Sequence, residues 1–285
     1  MSDSLQFDHH LLARHRYALI EPSMAEYLPD GIVAEPIVPE PMAASAHLMP
    51  RLLDLRALAP AQNDALLTSL FQAQQNGEAP IVSMLVQTEA DARAFITHWN
   101  GLQYATAAGG GKVWLRVHDP RVMHQLLRIL TAGQRRKLFG PIEQLAYFVG
   151  ATWVQAPEAP AAGTAAVGTA WNWARVERIG LVNRALQAAG VQDPQALWVQ
   201  GERAERLIDH ATLRHQLTAP GDLVEFAMRG LLHGDAFDRH PQVAAAIPPS
   251  SDPDDDSTLA DRLALLDDHV WDELSPHQLN DTKAP

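Results

Sequence analysis

The chain has 285 residues, 47% of them hydrophobic, with 34 acidic against 22 basic side chains and a formal net charge of −12. That length exceeds one usual compact domain and suffices for a substantial core, so two lobes are expected. The acidic balance argues against nucleic-acid or anionic-membrane partners, which need clustered Lys and Arg, and the absence of cysteine excludes disulfides, thiol nucleophiles and thiolate metal sites.

The first residues, "MSDSLQFDHHLLARHR", lack a basic-then-apolar signal layout, and no apolar run reaches the roughly eighteen residues of a membrane span. A cytoplasmic protein is expected, without membrane insertion. "HHLLARH" reads as a frayed terminus rather than a ligand cluster. "RYALIE" (16–21) is a short apolar strand. The stretch after it carries prolines at 22, 29, 36, 39, 41 and 50, which forbid a long helix or a central strand. Ile32, Val33, Ile37 and Val38 give it something to bury, so it reads as an irregular surface segment, a place where binding loops occur.

Next, Asn63 can cap a helix carrying Leu66, Leu67, Leu70 and Phe71, with Gly77 to end it. "IVSMLV" (81–86) is a buried strand. Thr88 and Asp91 have capping-box spacing, and Ala92, Phe95, Ile96 and Trp99 fall on one helical face. "KVWLRVH" (112–118) follows, with Val113, Leu115 and Val117 on one side and Trp114, Arg116 and His118 on the other. Strand, helix and strand in this order predict a βαβ unit and a parallel pair. The expected fold is an α/β N-terminal lobe, with a mixed, largely parallel sheet flanked by helices, followed by an all-α lobe.

His118 and Asp119 raise the question of chemistry. Asp119 is placed to cap a helix that opens on Pro120, whose missing N–H costs nothing at the first helical position. Val122, Leu126, Ile129 and Leu130 give that helix one apolar face. Thr131 and Gln134 have capping-box spacing for a second helix, Gly140 suits the left-handed position after it, and Pro141 prevents continuation. A metal-dependent hydrolase reading would use His118, Asp119 and His124, but no H-E-x-x-H accompanies them. His210 and His215, five apart, are expected to diverge around a helix. "GGGK" (109–112) enters a strand instead of leaving one, and no G-x-S-x-G is present. The residues predict no catalytic group, no metal and no cofactor.

"APEAPAAGTAAVGTA" (156–170) is small and Pro/Gly/Ala-rich, a linker between an N-terminal lobe (1–155) and a helical lobe (171–247). Trp171 and Trp173 begin that second lobe, as core or as binding hot spots. The groove between the lobes is the expected partner site. The tail, 248–285, opens on "PPSSDPDDDS" and holds nine acids against one arginine over 252–273. Thr258 and Asp261 have capping-box spacing for one short helix. Leu259, Leu263, Leu266 and Val270 make an apolar stripe on it. The stripe either docks on the helical lobe or offers Leu263, Leu266 and Val270 to a partner.

Several of these segments together resemble the type VI secretion effector chaperone/adaptor family. The matching residues are Tyr17 to Ile20, more loosely Pro50 and Leu52, then Arg116, Asp119, Pro120, Arg121 and Val122, and finally Phe139, Gly140 and Pro141. The resemblance covers about 14–155, and "APGDLVEFAMRGLLHGDAFDRHP" (219–241) looks like the family's C-terminal lobe. The chain departs from the family in its long Pro-rich segment and its acidic tail. The resemblance implies a non-enzymatic protein that binds a secreted effector toxin in the bacterial cytoplasm and helps load it on the spike protein. It also implies that the motif residues are structural. An immunity or scaffold protein of the same secretion cluster is the neighbouring alternative.

Overall fold

The structure, a computed structural model, describes residues 3–5, 9–107, 109–158, 170–247 and 256–274. The chain forms two compact units, 1–177 and 178–285. Most of the expected linker (159–169) and of the Pro/Asp break (248–255), and the last residues (275–285), lie outside the described residues.

The first unit is built on strands β1 (Asp3–Leu5), β2 (Tyr17–Ile20), β3 (Glu35–Pro36), β4 (Arg51–Asp54) and β5 (Val82–Gln87). Beyond them come a small pair, β6 (Tyr104–Thr106) and β7 (Lys112–Trp114), and then β8 (Gln144–Val149) and β9 (Thr152–Gln155). Seven of these form one sheet in the order β1-β9-β8-β5-β2-β4-β3, while β6 and β7 pair only with each other. Every pairing is antiparallel. The expected largely parallel sheet is therefore wrong.

The reason lies in the turn after helix α3 (Ala92–Gln103). The βαβ expectation needed "KVWLRVH" to join the sheet. Instead the chain reverses at once: Gly110, at φ 80°, donates to Ala107 O, and Ala107 N bonds Gly111 O. That closes a local hairpin, and Leu115–Val117 leave the strand. The neighbours of β5 are β2 and β8, and the chain reaches β8 only two helices after the hairpin. "IVSMLV" is buried throughout, and apolar but for Ser83, because its sheet is covered on both faces, a pattern more usual in parallel sheets. On one face Ala18, Ile20, Leu53 and Leu85 pack with Leu66 and Leu70 of α2 (Pro60–Asn76) and with Leu11 and Leu12 of the first helix, α1 (His9–Ala13). On the other, Tyr17 stacks on Phe95 and Phe95 on Trp99.

Several local expectations hold and others shift. Gly77 ends α2 at φ 69°, but that helix starts at Pro60, where Gln62 Oε1 accepts from Ala59 N at 3.0 Å, and Asn63 lies inside it. Asp91, not Thr88, caps α3, by accepting from Ala94 N at 2.8 Å; Thr88 Oγ1 donates instead to Pro141 O at 2.7 Å. "HHLLARH" is no frayed end, since α1 buries Leu11 and Leu12, and His15 just after it is buried as well. In the Pro-rich segment Ile32 and Ile37 are buried, Val33 is exposed, and Pro36 sits on the edge strand β3, where a missing N–H is tolerated.

The helices α4 (Pro120–Ile129) and α5 (Ala132–Phe139) lead back to β8. The capping box of α5 is formed as expected, Thr131 N donating to Gln134 Oε1 at 2.9 Å. Gly140 has φ 53°, and a Cβ there would collide with the His98 imidazole, whose Nε2 lies 2.9 Å from Leu138 O. Only glycine fits beneath that ring.

Helix α6 (Trp173–Ala188) crosses from the first unit into the second. The second unit continues with α7 (Pro194–His215), α8 (Pro220–His233), a 3₁₀ turn at Phe237–Arg239, α9 (Pro241–Ala246), α10 (Leu259–Ala264) and α11 (Asp268–Glu273). Among its described residues the tail thus carries two short helices instead of one. Gly230 lets α8 approach α7: a Cβ there would stand 2.5 Å from Leu207 Cδ2.

Candidate functional site

Glu21 follows directly on β2, and the turn before α4 brings Arg116, His118 and Asp119 beside it. Asp119 has the expected role, accepting from Arg121 N at 3.0 Å. The Arg121 guanidinium also grips it, Nε to Oδ1 at 3.1 Å and Nη2 to Oδ2 at 2.9 Å. Both carboxylate oxygens are therefore occupied. Arg116 reaches Asp119 at 3.8 Å and Glu21 at 4.0 Å, not the Gly-Pro turn. Together with Ser83, Phe148 and Val149, Glu21, Arg116, Asp119 and Arg121 line a cleft of about 390 Å³, and His118 lies buried behind them.

The electrostatics follow from unequal burial. The Arg116 and Arg121 side chains are 47% and 57% exposed, while those of Asp119 and His118 are buried. Burial, helped by the neighbouring Asp119 charge, pushes the Glu21 carboxyl up to about 7. Burial, helped by the Arg116 charge, pushes His118 down to about 4. Burial would also raise Asp119, but the hydrogen bonds and charge of Arg121 outweigh it and hold that carboxyl below its ordinary value. At neutral pH the cleft holds a part-protonated Glu21, one fixed anion and two cations with open edges, with a neutral imidazole buried beside them. Its mouth is cationic, suited to binding a carboxylate.

Alternation along a strand puts His118 on the outer face; the chain has left the strand by then, and the ring is buried with neither nitrogen hydrogen-bonded. Its Nε2 is 4.0 Å from Glu21. His124 points elsewhere, its Nδ1 lying 3.0 Å from the Tyr147 hydroxyl inside the core. His118, Asp119 and His124 are therefore not one ligand set. Sequence reasoning passed over Glu21, whose signal was a lone carboxylate ending an apolar strand.

Tyr17, Phe139, Gly140 and Pro141 of the motif serve packing and turn geometry, as above, with Tyr17 OH donating to Ala90 O at 3.3 Å. Trp171 and Trp173 are half-buried in the first unit, with ring centroids 5.8 Å apart. They line a second cleft, of about 450 Å³, with Leu102, Tyr104 and Lys137. Leu263 and Val270 are fully buried in the core of the second unit, and Leu266 packs against it. The stripe docks on its own unit and is not offered outward. The expectation that His210 and His215 diverge is also overturned. Five residues separate ring positions by about 140° on a helix, yet both Nε2 atoms lie 2.8 Å from Asp238 Oδ2.

A family model described as a domain of unknown function (DUF4123) matches residues 38–137. That stretch, short of half the chain, runs from the Pro-rich segment through α4 into α5. It includes Arg116, Asp119, Pro120 and Arg121 and leaves out Tyr17 and the Phe139-Gly140-Pro141 turn. No curated protein and no solved structure matches the chain. Among the described residues no helix is long and apolar enough to cross a membrane.

Replacing Asp119 by Ala removes the cap and leaves two arginines around an empty position. The cap is worth about 1 kcal/mol, and the half-exposed arginines add little. The expected result is a lower melting temperature with the fold retained. An unchanged melting temperature together with lost partner binding would make Asp119 a contact residue instead.

Proposed function

We propose that this chain is a non-enzymatic adaptor, or chaperone, that binds a type VI secretion effector toxin in the bacterial cytoplasm and helps load it on the spike protein. The observation that carries this reading is the Arg116, Asp119-Pro120-Arg121-Val122 turn, which resembles the adaptor family's motif and lies within the matched stretch 38–137. The geometry of the cleft is compatible with it. Asp119 spends its oxygens on a helix start and on Arg121, so the residue that a hydrolase reading would need is committed to structure. The exposed edges of Arg116 and Arg121 at the mouth of the cleft supply a docking point for an acidic side chain or a chain terminus of the effector.

Co-expression with the products of neighbouring genes, followed by pull-down, tests the proposal. The expected result is stoichiometric capture of a toxin, weakened when Arg116 and Arg121 are both changed to Glu in a variant of unchanged circular dichroism. Capture unaffected by the double change would move the binding surface away from the cleft. Absence of any captured toxin would overturn the adaptor reading.

A further inference from the structure

The second unit contains a group of side chains that neither the adaptor reading nor the fold accounts for. His210 and His215 come from the last turns of α7, and Asp238 from the 3₁₀ turn after α8. Their donor atoms all lie within 4.8 Å of one another. Three features hold them there. His215 is the final residue of its helix, and Gln216 leaves it in a left-handed conformation at φ 56°. The Phe226 ring lies against both imidazoles, at centroid distances of 5.8 and 5.3 Å, and Phe237 closes on Phe226 at 4.8 Å. The Asp238 side chain is only 3% exposed.

The hydrogen bonding of this carboxylate is lopsided. Oδ2 meets both imidazoles, while Oδ1 is buried with no hydrogen-bond partner. Among the described residues no Lys or Arg pairs with Asp238. A buried carboxylate with one bare oxygen is costly to retain for packing alone. Two imidazole nitrogens and one carboxylate oxygen are a three-ligand set that divalent transition metals of the zinc group accept with a fourth position open.

We propose that His210, His215 and Asp238 bind one divalent transition-metal ion of the Zn²⁺ class, its fourth position facing the open side of His210, whose side chain is 36% exposed. Ligands at about 2.0–2.1 Å in tetrahedral geometry stand roughly 3.3 Å apart. The two 2.8 Å contacts therefore open by about half an ångström to admit the ion, within the reach of small side-chain rotations. On binding, each Nε2 gives a lone pair to the ion while its proton moves to Nδ1, leaving a neutral imidazole. Protons compete with the ion for the same nitrogens, so affinity falls as pH is lowered. Phe226 and Phe237 keep one side of the site dry, which strengthens the ion–carboxylate attraction. The opposing reading is a hydrogen-bonded clip that ties the end of α7 to the 3₁₀ turn.

The two readings separate on the full-length, untagged chain, stripped with a chelator and titrated with Zn²⁺ by calorimetry and with Co²⁺ by visible absorption. The expected result is one ion per chain, with the d–d bands of a low-coordinate Co²⁺ site. Even outer-shell changes at metal sites cost about 10–100-fold in affinity, so His210→Gln and His215→Gln are expected to weaken binding at least that much. His233→Gln, an imidazole of the same unit that packs on Trp271 outside the set, is expected to leave it unchanged. His210 is part-exposed, so its variant folds and the comparison does not depend on Asp238→Asn. No stoichiometric binding by the stripped chain, or binding that survives both ligand variants, overturns the proposal in favour of the clip. The result is independent of toxin capture, so either reading can fail alone.

Discussion

Replacing Glu21 by Gln is expected to leave stability near the wild-type value at pH 4.5 and to raise it above wild type at pH 8. The carboxyl is raised from 4.5 to about 7 in the folded chain. Below 4.5 it is protonated whether the chain is folded or not, and it imposes no electrostatic cost. Between 4.5 and 7 the folded state holds a proton that the unfolded chain has released, so stability falls as pH rises. Above 7 a charged carboxylate sits in a mostly buried position, and the full cost is present. Each tenfold change in a proton-binding equilibrium is worth about 1.4 kcal/mol, which puts that cost at about 3 kcal/mol, to order of magnitude. Gln keeps the shape and removes the titration. Urea denaturation of both proteins at half-unit steps from pH 4.5 to 8 reads the difference directly. Parallel profiles would show that Glu21 is solvated, and that the cleft does not have the polarity assigned to it.

His118 makes the same experiment sharper, because its slope has the opposite sign. Its folded value lies near 4 against an ordinary 6.5, so the neutral ring stabilises the fold above 6.5, and that contribution is lost as pH falls through 4. Across pH 4.5 to 6.5 the two groups oppose each other, which flattens the wild-type profile. Glu21→Gln uncovers the His118 slope, and stability then climbs between pH 4 and 6.5. This matters for the adaptor reading. A cleft whose Glu21 is half-neutral near pH 7 leaves Arg116 and the outer edge of Arg121, whose inner edge holds Asp119, to receive a partner's carboxylate.

How far the sequence could be read depended on the range of the interactions involved. Caps and turns are decided by neighbours a few residues apart, and Asp119, Thr131, Gly77, Gly140 and Thr258 stand where their local chemistry put them. Strand pairing is not a local property. The apolar run at 81–86 was visible, but its partners at 17–20 and 144–149 lie up to about seventy residues away in sequence. A hairpin closed by three glycines displaced the segment that seemed fit to join it. Glu21 escaped notice because its character comes from burial beside Asp119, a contact across nearly a hundred residues of chain. The convergence of His210 and His215 depended on a helix ending at His215 and on an aspartate supplied by a different element. Helical spacing cannot anticipate either. The tail was legible as a stripe, whereas its destination was not, since an apolar stripe reads the same whether its groove belongs to the same chain or to another.

That destination carries the last expected result. Leu259, Leu263 and Val270 are fully buried among Leu223, Phe226 and Val243, and hydrogen bonds fix the approach. Leu259 N donates to Asp222 Oδ1 at 2.9 Å, which joins the start of α10 to the first turn of α8. Arg262 donates to Ala246 O and Ile247 O, the open carbonyls at the end of α9, and to Ser257 O. A segment so rich in acid stays on its unit through apolar area and these bonds, not through charge. Leu263→Ala should therefore cost about 2–5 kcal/mol, the range for emptying a closed core site. Leu265→Ala, two residues on and 86% exposed, should stay within about 0.5 kcal/mol of wild type. Raising the salt should leave the difference between the two variants unchanged, because screening acts on exposed charges and not on buried leucine. Denaturant melts of the three proteins at low and high salt measure both quantities. A Leu263→Ala protein as stable as wild type would mean that the stripe is not held on the second unit, and would return Leu263, Leu266 and Val270 to consideration as partner contacts.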